Sequence, residues 1–117
     1  MNREECIKLC LQCAMDCEVC LDKMLDIFIK GESSCCRGQE EDGHSECPRC
    51  CHECLQMCIM CAQAMTRESR WSKDICRLCA EICDWCAEEC AKHSHDHCQK
   101  CAESCRQCAE SCRQMAA

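Results

Sequence analysis

Apolar positions in this chain recur in steps of three and four residues, and cysteine occupies most of them. The first run is Cys6, Cys10, Cys13, Cys17 and Cys20, and the second is Cys47, Cys51, Cys54, Cys58 and Cys61. The third is Cys76, Cys79, Cys83, Cys86 and Cys90, and the fourth is Cys98, Cys101, Cys105, Cys108 and Cys112. Alternating threes and fours keep residues on one side of an α-helix, along the seam where a bundle normally carries leucine. In the last run the unit CAESCRQ occurs twice in succession, at 101–107 and 108–114. Glu, Lys, Gln, Asp and Arg fill the outward positions. The pattern predicts helices at about 3–30, 46–67, 72–92 and 96–114.

Other apolar residues flank the stripes and are expected to pack against neighbouring helices. They are Ile7, Leu11, Ala14, Leu21, Leu25 and Phe28 on the first segment, and Ile59 and Ala62 on the second. Leu78, Ile82 and Trp85 serve the third, and Ala102 and Ala109 the fourth. The segment 31–46 is the only long connection, so successive helices should run antiparallel. The expectation is an all-α fold, an up-down-up-down four-helix bundle with a cysteine-lined core, forming a single domain over 1–117. Side by side, the stripes make five layers. These are Cys6, Cys61, Cys76 and Cys112; Cys10, Cys58, Cys79 and Cys108; Cys13, Cys54, Cys83 and Cys105; Cys17, Cys51, Cys86 and Cys101; and Cys20, Cys47, Cys90 and Cys98.

Twenty-three cysteines in 117 residues imply either a disulfide framework or a metal–thiolate protein. The chain opens MNREECIKLC, without the apolar run of a signal peptide, and no stretch approaches the roughly 20 apolar residues of a membrane span. That reading places it in the cytoplasm, where thiols stay reduced, with no membrane partner. Within a helix, Cβ atoms three or four residues apart lie about 5–6 Å from each other, too far for an unstrained disulfide. A formal net charge of −7, with Phe28, Trp71 and Trp85 as the only aromatics, argues against nucleic acid. No nucleophile–base pair, phosphate loop or open three-ligand site points to an enzyme.

Three thiolate-seeking metals remain. Iron–sulfur clusters favour tight loop motifs, which the continuous stripes lack. Zinc would take each layer as a tetrahedral site, burying two net negative charges per ion. Copper(I) is soft, prefers thiolates and is satisfied by two or three of them, so many ions can share bridging sulfurs in a neutral core. Copper(I) storage or buffering is therefore favoured over a zinc or general metal–thiolate buffer, and over an iron–sulfur electron carrier.

The repeated CxxxC and CxxC pairs resemble those of the bacterial cytosolic copper storage proteins, cysteine-rich four-helix bundles, over nearly the whole chain. The resemblance implies a homotetramer and many copper(I) ions per chain. A copper chaperone is a candidate partner, and nothing in the sequence specifies it.

Beyond the stripes, His44, His93, His95 and His97 gather at the Cys20–Cys98 end, where exposed imidazoles would pass ions inward; the alternative reading is a polar surface loop. His52 reads as a surface residue. Met65 and Met115 extend stripes at the opposite end and Met24 at the histidine end, as packing or as minor ligands. Cys50, three residues from Cys47 and four from Cys54, either joins the core or flanks it. Cys35 and Cys36 read equally as early-capture ligands or as an oxidisable pair.

Overall fold

The computed structural model describes residues 2–31 and 46–117. It contains α1 (Arg3–Lys30), α2 (Cys47–Thr66), α3 (Ser72–Ala91) and α4 (Asp96–Ala116). The expectations for Cys35, Cys36 and His44 lie outside the described residues.

Local chemistry sets the helix ends. Asn2 caps α1 by accepting the Glu5 N–H at 2.8 Å, and Glu4 and Glu5 place negative charge at the positive end of the helix dipole. Gly31 ends α1 in the left-handed conformation, at φ 72°, a region that costs glycine little. Pro48 sits in the first turn of α2, where its missing N–H is harmless. The α2–α3 turn puts Glu68 at φ 53°, and Ser72 Oγ donates to the Ala64 carbonyl at 3.2 Å.

Each helix packs on two others: α1 and α3 both lie against α2 and α4. Sulfur contacts give the directions. Cys6 meets Cys112 at 3.9 Å and Cys20 meets Cys98 at 4.0 Å, so α1 and α4 are antiparallel. Cys61–Cys76 at 3.6 Å and Cys47–Cys90 at 3.5 Å establish the same for α2 and α3.

The interior is built from thiols, and the seams between helices from alanine. Ala14, Ala62, Ala80, Ala87, Ala102 and Ala109 are all buried. These small residues let the helices approach until short cysteine side chains meet at the axis. Larger flanking residues are consequently displaced outward. Ile7, Leu21, Ile82 and Trp85 pack against the core as expected, but Leu11, Leu25, Phe28, Ile59 and Leu78 are exposed.

Two polar contacts stitch α1 to α4. Buried Asp16 accepts from the Ser104 hydroxyl and from Gln12 Nε2 at 3.2 Å, with Lys100 Nζ at 3.7 Å. At the other end, Ser111 Oγ lies 3.3 Å from Cys6 Sγ and donates to the Cys108 carbonyl at 3.0 Å. A buried carboxylate or hydroxyl without such partners would be destabilising.

Candidate metal centre

All twenty-one described cysteines are buried and none forms a disulfide. Twenty belong to the four stripes. Within the expected layers, Cys10–Cys108 is 3.6 Å, Cys13–Cys105 3.6 Å, Cys54–Cys83 3.6 Å and Cys17–Cys101 3.5 Å. The layers nevertheless have no boundaries. Cys10–Cys112 is 3.7 Å, Cys58–Cys83 3.6 Å, Cys51–Cys90 3.7 Å and Cys90–Cys101 3.7 Å, all between adjacent layers. The sulfurs of Cys58, Cys90 and Cys101 each touch two levels of their neighbours, as an axial offset between helices would produce.

Four-sulfur groups in the column therefore overlap. Cys13 belongs both with Cys17, Cys54 and Cys105 and with Cys58, Cys83 and Cys108. Cys51 belongs with Cys17, Cys86 and Cys101 and also with Cys20, Cys90 and Cys101. Of five such groups, that of Cys17, Cys51, Cys86 and Cys101 alone reproduces an expected layer intact. The fifth is Cys10, Cys79, Cys108 and Cys112, which mixes two layers. Shared sulfurs suit a metal that accepts bridging thiolates.

The thiols also polarise one another. Cys54 is held well below the ordinary thiol range by hydrogen bonds from Cys105 and Cys13, and Cys101 by those from Cys105 and Cys17. Their neighbours move the other way. Cys58, facing Cys108 and Cys13, and Cys86, facing Cys101 and Cys105, are held above that range, with burial adding to the effect. At one end of the column, Cys112 falls to about 6 beside Cys10, while Cys76 rises to about 12 through Cys112 and burial, opposed by Cys61. Some sulfurs are thus poised as thiolates and others as donors that stabilise them.

Cys50 is fully buried, with its thiol donating to the Cys47 carbonyl at 3.2 Å, so it joins the core rather than the surface. Among the histidines, His97 Nδ1 lies 3.4 Å from Cys20 Sγ and 3.5 Å from Cys98 Sγ. Burial, with a contribution from His95, lowers the His97 pKa, which favours the neutral, ligating form. His95 is exposed, and its ring centroid is 5.4 Å from that of His97. His93 departs from the expectation of an exposed imidazole: it is 1% exposed. The α3–α4 turn folds it inward, with its N–H bonded to the Cys90 carbonyl at 3.2 Å and its own carbonyl accepting from Gln99. His52 is exposed on α2. Met24 is buried beyond Cys20, and Met65 is buried at the opposite end, where Met115 is half-buried.

A four-helix bundle whose core is a continuous column of reduced thiols defines a class: a protein that takes soft metal ions into its own interior. The model of the copper storage protein family (Csp) matches residues 1–117, and the chain belongs to that family. The fold is similar to apo copper storage protein 3 of Bacillus subtilis, with 41% identity, a TM-score of 0.83, and coverage of 99% of this chain and 100% of that one. It is also similar to the Cu(I)-bound copper storage protein BsCsp3, at 42% identity and a TM-score of 0.84 with both chains fully covered. The Nmul_A1745 protein of Nitrosospira multiformis matches at 33% identity and a TM-score of 0.73, over 98% of this chain and 94% of that one. The uncharacterized cysteine-rich protein YhjQ of B. subtilis is 41% identical over 77 residues, which span 66% of this chain and 61% of that protein.

Proposed function

We propose that this chain stores and buffers copper(I), holding many ions inside the bundle through the twenty stripe cysteines together with Cys50. The observation that carries the reading is the sharing of sulfurs between overlapping groups, since each copper(I) needs only two or three thiolates and tolerates bridging. Discrete tetrahedral zinc sites would need separated sets of four sulfurs. The Cu(I)-bound state of a relative 42% identical over the whole chain supports the same metal. The role is binding rather than catalysis, performed by one domain spanning 1–117.

Titration of reduced protein with copper(I) under anaerobic conditions tests it. Saturation is expected on the order of 20 ions per chain. An end point near five would instead support one zinc-like ion per layer, and visible charge-transfer bands after iron and sulfide treatment would support an iron–sulfur carrier.

The reading extends to place and assembly. No described helix is long and apolar enough to cross a membrane, and reduced thiols favour the cytoplasm. Exposed Leu11, Met15, Val19 and Leu25 along α1 suit an interface between copies, in keeping with a homotetramer. His97, in contact with Cys20 and Cys98, and exposed His95 suit a port through which a copper chaperone delivers ions. Buried His93 would act behind them, and His44 is kept as a further candidate ligand.

A further inference from the structure

The end of the bundle opposite the histidines carries its own concave opening, built from different chemistry. A cavity of about 380 Å³ lies between the α2–α3 turn and the ends of α1 and α4. Cys76, Met65 and Met115 line it, and Arg3, Arg70 and Lys73 stand around them. The volume is within the range of about 300–1,000 Å³ found for small-molecule sites.

Three features bear on what the cavity takes. The first is a sulfur path. Cys76 is 3.6 Å from Cys61, which is 3.9 Å from Cys112, which is 3.7 Å from Cys10 in the column. The second is the thioether pair. Methionine sulfur is a soft, neutral donor that can hold copper(I) in passage without adding charge. The third is the sign of the rim: three cations against the single carboxylate of Glu68, on a chain whose formal net charge is −7. Glu68 is engaged by Arg3 at 2.6 Å, and Arg70 and Lys73 make no salt bridge among the described residues. A cationic rim repels a bare copper ion and attracts an anion. Glu68, in the left-handed region at φ 53°, holds this rim in a backbone conformation that costs a non-glycine residue energy.

We propose that this cavity is a second mouth of the store, at which a low-molecular-weight thiol bearing carboxylates exchanges copper(I) with Cys76. The proposal rests on the copper-storage reading above. The carboxylates of the incoming ligand meet Arg70 and Lys73 while its sulfur reaches the metal at Cys76. One copper–sulfur bond to the protein breaks and one to the small thiol forms. The proton of that thiol passes to the Cys76 sulfur, and copper remains in the +1 state throughout. Met65 and Met115 hold the ion during the exchange.

The test compares two small thiols on the copper(I)-loaded full chain, under anaerobic conditions, by following loss of protein-bound copper. Mercaptosuccinate is the anionic probe and monothioglycerol the neutral one. Arg70→Glu with Lys73→Glu, both at exposed positions, should slow unloading by mercaptosuccinate about fivefold at low salt and leave unloading by monothioglycerol within about twofold. The difference should vanish near 1 M salt, where the Debye length is about 3 Å. Met65→Leu with Met115→Leu should slow unloading by both thiols. Equal effects on the two thiols in the charge-reversed protein would overturn the mouth. So would unchanged rates there, or the same slowing in a His95→Ala, His97→Ala protein. A chain that never loads copper(I) would overturn the storage reading as well.

Discussion

Replacing Cys54 with serine separates a continuous column from a stack of separate sites. Cys54 lies near the middle of the bundle, with sulfurs of Cys13, Cys58, Cys83 and Cys105 at 3.8, 3.9, 3.6 and 3.8 Å. If each expected layer held one tetrahedral ion, Cys54→Ser would disable the layer with Cys13, Cys83 and Cys105, and capacity would fall by about a fifth. With sulfurs shared, the remaining thiols regroup around two- and three-coordinate ions, and the loss should be one or two ions in about twenty, or roughly 5–10%. Fully buried Cys54 gives way to a hydroxyl that needs a partner, so the metal-free protein should lose about 1–3 kcal/mol of stability. Mass spectrometry of the loaded protein, beside a copper(I) titration against a competing chelator, reads the count directly. A loss of a fifth or more in a folded variant would refute the shared column.

Further outcomes follow from the two ends and from the thiols themselves. His95→Ala with His97→Ala should slow copper uptake and change capacity by less than about a tenth, as measured by stopped-flow transfer from a copper(I) chelator. Metal-free reduced protein should already be strongly helical by circular dichroism, because Ile7, Leu21, Ile82 and Trp85 pack on the core without metal. Its stability should fall as pH rises above 9.0 toward about 12, since folding keeps Cys76 protonated where the unfolded chain ionises. Below pH 9 that contribution is fully present, and the copper-loaded protein, its thiols already metallated, should not show the same loss in thermal melts.

The four stripes are legible in sequence because a three–four repeat admits one helical face and nothing else in the chain competes with it. Pairing of Cys6 with Cys112 and of Cys61 with Cys76 follows from short links and antiparallel order. The blurring of layers does not, because axial offset between helices is set by turn geometry and by how closely alanine seams let backbones approach. The same close approach explains why Leu11, Leu25, Phe28, Ile59 and Leu78 are exposed, although their spacing fits a flank. A cysteine core is narrow, so the apolar arc it covers is narrower than a leucine core would allow. His93 illustrates a different limit: a turn residue in the run HSHDH is buried by the path of the turn and the Gln99 contact, neither of which has a periodicity. Ser104 and Ser111 carry a signal of their inward contacts. They occupy equivalent positions in the CAESCRQ repeat, each directly before a core cysteine, where an outward residue would have no need to be small.

The chemistry of loading gives the column its tolerance of partial filling. An empty site in the column is a neutral thiol, and binding one copper(I) per thiolate exchanges one proton for one cation, so the charge of the buried core is unchanged. Every intermediate degree of loading then carries the same low electrostatic cost in a low-dielectric interior. Four thiols that release four protons to one zinc(II) ion leave two uncompensated negative charges, and neighbouring layers would repel increasingly as they filled. The hydrogen-bonded pattern of depressed sulfurs such as Cys54 and Cys101 beside protonated ones such as Cys58 and Cys86 fits the neutral exchange. Each ion displaces one proton, most readily from sulfurs such as Cys54 and Cys101, whose thiolates the neighbouring thiols stabilise by hydrogen bonds. A buffer requires that late sites fill about as readily as early ones, and one-for-one exchange along shared sulfurs supplies this without any movement of the helices.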